Sequence, residues 1–366
     1  MKLKVTHNLA VFLIVCSISV SVISCIPSVI PPPFKPEDIT PPVVVSWAMS
    51  DETTITIQFN ELVSIQDHAI TIKQELQPSQ NQSGTVILCG DTILDNNGTT
   101  LHIQLPAPLE AGKQYNVSGT VKDASGNSSL FVLPFWGYNP DIPKLLISEL
   151  VTQGSSTHPD AIELFAVTGG NLAGITVYIG TPSQYSYKYS FPACKITQGE
   201  YVVLHLKPQG IPEEIDEISN VTISGGLDAS ATGRDFWSKN TDGSLPGTNG
   251  TVTIFSNPLG YCIDAVIYSD RTSASDSNYR GFGTANMLIQ VQDIVTNNWW
   301  SMPDGIKPEA AACSAGTTST RTLCRWSNQS DTNTNQDWHI VPTKGISLGG
   351  PNSDETYVPL SVTKKK

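Results

Sequence analysis

The sequence predicts an all-β chain built of β-sandwiches, and three observations carry that prediction. Short segments alternate apolar and polar residues, as in "TITIQF" at 54–59, where Ile55, Ile57 and Phe59 interleave with Thr54, Thr56 and Gln58; a period of two marks a strand with one buried face. Turn formers punctuate these segments at short intervals, with 28 Gly and 25 Pro in 366 residues. A hydrophobic fraction of 39% suffices for a packed core in each of about two or three domains, while only 15% of residues are charged. The formal charge of -12, from 21 Lys and Arg against 33 Asp and Glu, excludes a general nucleic-acid binder, because phosphate contacts need a basic surface. The one basic run, Lys364 to Lys366, is read as a solvated tail.

At the start of the chain, Lys2 and Lys4 precede an apolar stretch from Leu9 to Ile23. It falls short of the roughly 20 residues a membrane-spanning helix needs, so residues 1–24 are read as a signal peptide. The stretch ends "SVISC", which resembles the lipobox of bacterial lipoproteins in a relaxed form, with Val22 where Leu is usual. That resemblance implies cleavage before Cys25 and a diacylglycerol on its thiol, making Cys25 the point of attachment to a membrane. A Pro-rich stretch, "IPSVIPPPFKPED", follows, and residues 25–37 are expected to form a tether. Polyproline II rises about 3.1 Å per residue, so the tether would hold the first domain about 35–40 Å off the lipid.

The first folded unit is placed at 38–138. "VVVSWAMSDETTITIQFNELV" reads as two strands around a turn at Ser50 to Glu52, and Asn97-Gly98 reads as a hairpin turn. The run from "DITPPVVVSW" to "YNVSGTVKDASGN" resembles the bacterial Ig-like domain of the SbsA type through Asp38, Pro41, Pro42, Tyr115, Val117, Val121, Asp123, Gly126 and Asn127. The resemblance implies a non-catalytic spacer or display domain. Independently, "DASGN" is read as a turn in which Asp123 accepts from local backbone amides.

"WGYNPDIP" breaks the strand pattern, and the second unit is placed at 142–352, with a tail at 353–366. "LLISEL" and "AIELFAV" are apolar strands around a polar loop. With "FPACKITQGEYVVL", "CIDAVIY" and the closing "TLCRWSNQSDTNTNQDWHIVPTKGISLGGPN", the segment resembles the lamin-tail domain, an Ig-like sandwich. The matching positions include Ser148, Glu149, Asp160, Ile162, Glu163, Asp264, Arg325, Asp331, Asp337 and Asn352, while Ala166 stands where the family has Asn. "VQDIVTNNWWSMPDGIKPEAAACSAG" is longer than the family loop and is read as an insertion near 290–316. The whole is therefore expected to be two Ig-like β-sandwich domains in tandem after a signal peptide and a Pro-rich tether.

Candidate chemistry is sparse. "STHPDAIELF" groups His158, Asp160 and Glu163, but His158 and Asp160 fall in a loop while Glu163 alternates with Ile162 and Leu164, so the three are assigned structural roles. Glu163 is expected to meet Arg325 or backbone amides near a sandwich edge. In "DTNTNQD", Asp331, Asn333, Asn335 and Asp337 alternate like the start of a calcium loop, but Gln336 stands where that loop wants Gly and Pro342 where it wants Glu. Calcium is retained as a weak candidate and no other cofactor is expected. Trp237, Trp299 and Trp300 fall among polar residues and are candidates for a binding surface, beside Asp235 and Phe236. No H-E-x-x-H, G-x-S-x-G or phosphate-binding glycine motif occurs.

Setting aside Cys16 in the signal and Cys25, an odd set remains: Cys89, Cys194, Cys262, Cys313 and Cys324. A disulfide between Cys313 and Cys324 is expected, closing a Thr/Ser-rich loop, and the pairing of the other three is open. The sequence thus points to an exported, lipid-anchored envelope protein that is not an enzyme and that binds or displays, with a protein or glycan as its ligand. Its alternatives are a periplasmic structural scaffold and an accessory to, or divergent form of, a metal-dependent envelope hydrolase.

Overall fold

The computed structural model describes residues 38–65, 70–75, 86–87, 90–239 and 243–359. The expected signal peptide, Cys25, the tether and Cys89 lie outside these residues. Two β-sandwiches follow one another. The first comprises β1 (Val44–Met49), β2 (Thr54–Phe59), β3 (Ser64–Ile65), β4 (Thr71–Gln74), β5 (Val86–Ile87), β6 (Thr92–Leu94), β7 (Thr100–Gln104), β8 (Gln114–Lys122) and β9 (Ser128–Trp136). One sheet runs β1-β2-β7-β6; the other runs β3-β8-β4-β5, with β9 paired to β8.

Strict alternation builds this core. Ile55, Ile57 and Phe59 of β2 and Leu101 and Ile103 of β7 face Ile72, Tyr115, Val117 and Phe135 across the sandwich, all buried. Each such side chain contributes about 1.5–3 kcal/mol on leaving water. The Trp47 indole N–H ties the sheets together by donating to the Pro134 carbonyl at 2.6 Å. Both turns read from the sequence form: Ser50 N–H donates to the Thr54 carbonyl at 2.9 Å, and Gly98, at φ 67°, lies between β6 and β7. Asp123 accepts from the Asn127 backbone N–H at 2.8 Å, as the turn reading requires.

The second sandwich comprises β10 (Leu145–Leu150), β11 (Ala161–Ala166), β12 (Gly170–Asn171), β13 (Thr176–Thr181), β14 (Gln184–Ser190), β15 (Lys195–Ile196), β16 (Tyr201–His205), β17 (Arg234–Trp237), β18 (Asn249–Phe255), β19 (Cys262–Ser269), β20 (Ala312–Cys313), β21 (Leu323–Arg325) and β22 (Trp338–Ile340). A six-stranded sheet, β17-β16-β11-β10-β21-β22, faces a five-stranded one, β14-β13-β18-β19-β20, and β12 pairs with β15. Ile147, Ile162, Leu164, Val202 and Leu204 meet Val177, Ile179, Val252, Ile254 and Val266 in one core.

Several strands here are buried on both faces, so their sequences read as apolar runs rather than alternations. The cover on the five-stranded sheet is a helix, α1 (Ala285–Thr296), which packs on β13, β14 and β18. This corrects the reading of the insertion as loop: Thr284 caps α1 by accepting from Met287 N–H, and Val291 and Ile294 are buried in the core. The outer face of the six-stranded sheet is covered by the C-terminal segment, through Ile346 and Leu348 against Val151, Ala161 and Val203. Among the described residues no helix is long and apolar enough to cross a membrane.

Candidate functional site

Most charged groups singled out in the sequence hold the second sandwich together. Arg325, fully buried on β21, donates to both carboxylate oxygens of Asp264 at 3.1 and 3.0 Å, and to the carbonyls of Ile147 and Ser330 at 2.8 and 2.9 Å. Asp331 and Asp337 lie 3.3 and 3.6 Å from the same guanidinium. The acidic loop "DTNTNQD" therefore faces a cation of the chain's own. Asp337 also accepts from Thr332 N–H and hydroxyl, Asn335 donates to the Glu309 carbonyl at 3.1 Å, and the Asn333 carbonyl accepts from Ser301 N–H at 2.8 Å. The spacing that suggested calcium is thus used to neutralise Arg325 and shape a turn. Burial pushes the Asp264 carboxyl up to about 6, against the pull of Arg325 and the Ile147 amide.

Glu149 and Glu163 are neighbours on β10 and β11, both fully buried beneath the C-terminal segment. Glu149 accepts from Thr322 hydroxyl and from Ser347 N–H and hydroxyl; Glu163 accepts from Gly349 N–H at 2.6 Å. Glu163 thus meets a backbone amide, not Arg325. Burial raises both carboxyls, Glu163 furthest because the Glu149 charge adds to it. Asp160 and His158 act in the loop before β11. Asp160 accepts from Gly154 N–H, Leu245 N–H and Ser244, and pairs with Lys207 at 3.0 Å; His158 meets Asp228 at 2.8 Å.

The tryptophans offered as candidates for a binding surface pack onto the sandwich instead. Trp237 is buried flat against His205, ring centroids 3.9 Å apart, and its indole N–H donates to Ser224. Trp300 is 1% exposed and donates to the Ala310 carbonyl; Trp299 is half-buried, edge-on to Phe255 at 5.1 Å. Trp300 thus belongs to the core, Trp299 packs against its edge, and Trp237 ends the strand β17. The disulfide between Cys313 and Cys324 is also corrected: both thiols are free, Cys313 exposed on β20 and Cys324 buried on β21 with its sulfur 3.4 Å from the Thr322 hydroxyl. Cys194 and Cys262 are free as well.

What the sequence did not disclose is a cleft where the sandwiches meet. Asn139 fixes the linker: its side-chain amide donates to the carbonyls of Asn171 and Ala173 at 2.8 and 3.0 Å, and its carbonyl oxygen accepts from Asp141 N–H at 3.1 Å. Gly112 and Gly174 pass so closely that a Cβ on either would strike the other's backbone. Beside this seam opens a cavity of about 450 Å³, lined by Met49 and Trp136 from the first sandwich, Tyr138 and Ile142 from the linker, and Asn257, Leu259 and Tyr261 from the turn between β18 and β19. Leu259 and Tyr261 are exposed; Trp136 and Tyr138 are half-buried. No carboxylate, amine, guanidinium or imidazole is among the lining groups, in a chain of net charge -12. The signal was present in "WGYNP" and "SNPLGY", each an aromatic in a turn, but nothing local joins them.

The chain is similar to several known proteins. Residues 38–136 match the model of the bacterial Ig-like domain, and residues 143–340 match a family model described as a protein second domain, TP_1001_2nd. An uncharacterized protein of Treponema pallidum (strain Nichols) is 35% identical over 158 residues, 43% of this chain and 39% of that protein, so the match spans well under half of the relative's length. Among solved structures, the N-terminal part of the bacterial S-layer protein SbsC aligns at 14% identity over 63% of this chain and 44% of that one, with a TM-score of 0.24. Latent PorU from Porphyromonas gingivalis aligns at 14% over 64% and 20%, with a TM-score of 0.20. With 143–340 making up more than half of its length, the chain belongs to the TP_1001 second-domain family and carries a bacterial Ig-like domain ahead of it.

Proposed function

We propose that this chain is a non-catalytic lipoprotein of a bacterial cell envelope that binds an uncharged ligand in the cleft between its two sandwiches. Cys25 carries the lipid in this reading, 25–37 is the tether, and the second sandwich is a lamin-tail-type domain. The observation that carries the binding reading is the cleft's lining: Trp136, Tyr138, Tyr261 and Asn257 line it with no charged group among them. Concave sites that are mostly apolar with a few placed polar groups are the usual form of a ligand pocket. A neutral glycan fits this chemistry, with hydroxyls for Asn257 and ring faces for Trp136, Tyr138 and Tyr261. The non-catalytic reading is supported by the charged groups described above, each bound into the fold rather than turned into the cleft.

The test has two arms. Protease treatment of intact cells, with a periplasmic protein as leak control, should degrade the folded domains; protection with the control intact would move the protein to the periplasm and favour a scaffold. Trp136 fluorescence, titrated with a panel of neutral and acidic oligosaccharides, should respond to neutral members and lose the response in Tyr261→Ala. A response confined to acidic sugars, or one untouched by Tyr261→Ala, would refute the cleft as the site.

A further inference from the structure

The connection from β16 to β17, residues 206–233, is long, and its backbone is held at many points. Glu217, fully buried, accepts from the backbone N–H groups of Ile223, Ser224 and Asp235 at 2.7, 2.9 and 3.0 Å. Arg234 donates to the carbonyls of Glu217 and Ile218 and pairs with Glu200 at 2.6 Å. Glu214 accepts from the N–H groups of Gln209, Gly210 and Ile211, and Gly225 N–H donates to the Glu213 carbonyl at 2.8 Å. Within this frame Thr222 sits at φ 62°, a region a β-branched residue seldom enters and keeps only where its surroundings over-determine it.

The frame does not bury the apolar side chains it carries. Ile215, Ile218, Val221 and Ile223 are 40%, 44%, 39% and 47% exposed, all within nine residues. Isolated surface apolar residues are ordinary; a cluster of four branched ones on one pinned loop is a patch. Its free charge is acidic: of the carboxylates in 206–233, Glu213 is exposed and Glu214 and Asp216 are half-buried, Glu217 is buried and Asp228 meets His158, while the one basic residue, Lys207, is paired with Asp160.

We propose that this loop is a docking element for a second protein whose receiving surface is an apolar groove rimmed by Lys or Arg. A preset backbone loses little entropy on docking, and acidic flanks steer a basic rim and fix register. The same carboxylates disfavour an anionic lipid surface, and a net charge of -12 disfavours a second copy of this chain. The loop shares no residue with the cleft lining, so this proposal stands apart from the ligand reading.

The test places p-benzoylphenylalanine in the full chain, in its own cells, at Ile218 or at Leu130, a control that is 75% exposed on β9. Irradiation should give a discrete protein adduct from the loop position only. Its yield should fall at least ten-fold in Val221→Asn/Ile223→Asn and at least three-fold in Glu213→Lys, with unchanged melting temperatures. The captured protein, once purified, should bind the native chain more weakly as salt rises. The proposal is overturned by adducts equal at both positions, by no protein adduct, by yields indifferent to Glu213→Lys, or by co-sedimentation of the chain with phosphatidylethanolamine/phosphatidylglycerol vesicles that these loop substitutions abolish.

Discussion

Replacing Arg325 with Met should destabilise the second sandwich more than any surface change, and the size of the loss can be worked from its surroundings. The guanidinium makes a two-pronged pair with Asp264 and holds the carbonyls of Ile147 and Ser330, with Asp337 also buried beside it. Met fills similar volume but leaves Asp264 uncompensated, and breaking a buried pair from one side costs about 3–5 kcal/mol. For a urea slope of about 3 kcal/mol/M, the midpoint should drop by about 1–1.7 M. Trp237, Trp299, Trp300, Trp326 and Trp338 all lie in the second sandwich, so tryptophan fluorescence reports this transition. The loss should also shrink on acidification. Burial alone would hold an unpaired Asp264 protonated to a higher pH than the native value of about 6. Each pH unit down toward that value recovers up to about 1.4 kcal/mol in the variant. A midpoint shift below about 0.3 M, or a loss independent of pH between 5 and 8, would show that Arg325 is not the central charge of this core.

Glu163→Gln tests the paired carboxyls. Because burial raises both Glu163 and Glu149, their contribution is fully present below the unfolded value near 4.3 and is lost as pH rises toward their folded values. Urea unfolding at several pH values should show the native second sandwich weakening above pH 4 and the variant weakening less; a steeper slope in the variant would sink the assignment. Trp300→Ala should cost about 3–5 kcal/mol by calorimetry, whereas Tyr261→Ala should cost under about 0.5 kcal/mol, and the reverse order would restore the idea of a surface tryptophan. In a background lacking Cys25 and Cys89, a thiol reagent should modify exposed Cys313 at once and buried Cys324 only on unfolding, and dithiothreitol should leave the melting temperature unchanged. A melting point lowered by reductant would reinstate a disulfide.

How legible each part was follows from how local its cause is. The first sandwich could be read because its strands are wet on one side: Thr54, Thr56 and Gln58 carry the period that Ile55, Ile57 and Phe59 answer from within. In the second, α1 and the C-terminal segment cover the outer faces, so "LLISEL" and "TVYIGT" announce burial but not what covers them. The helix itself carries a local signal, with Thr284 as cap and Met287, Leu288, Val291, Ile294 and Val295 at helical spacing. The tryptophans left two readings open for the opposite reason: without a period, polar neighbours say nothing about whether Trp300 turns inward. In "DTNTNQD" the alternation of oxygens was real, and the cation they serve, Arg325, stood six residues ahead of Asp331. A site is hardest to see where its walls come from distant segments. Met49, Trp136 and Tyr261 belong to three different turns or strand ends, and they meet in one cleft through the Asn139 bonds and the close Gly112–Gly174 approach beside it. Asn139→Ala is therefore expected to weaken ligand binding with both sandwiches still folded, since what it removes is the geometry between them. Loss of binding together with loss of the second sandwich's cooperative unfolding would instead assign Asn139 to that domain's own stability.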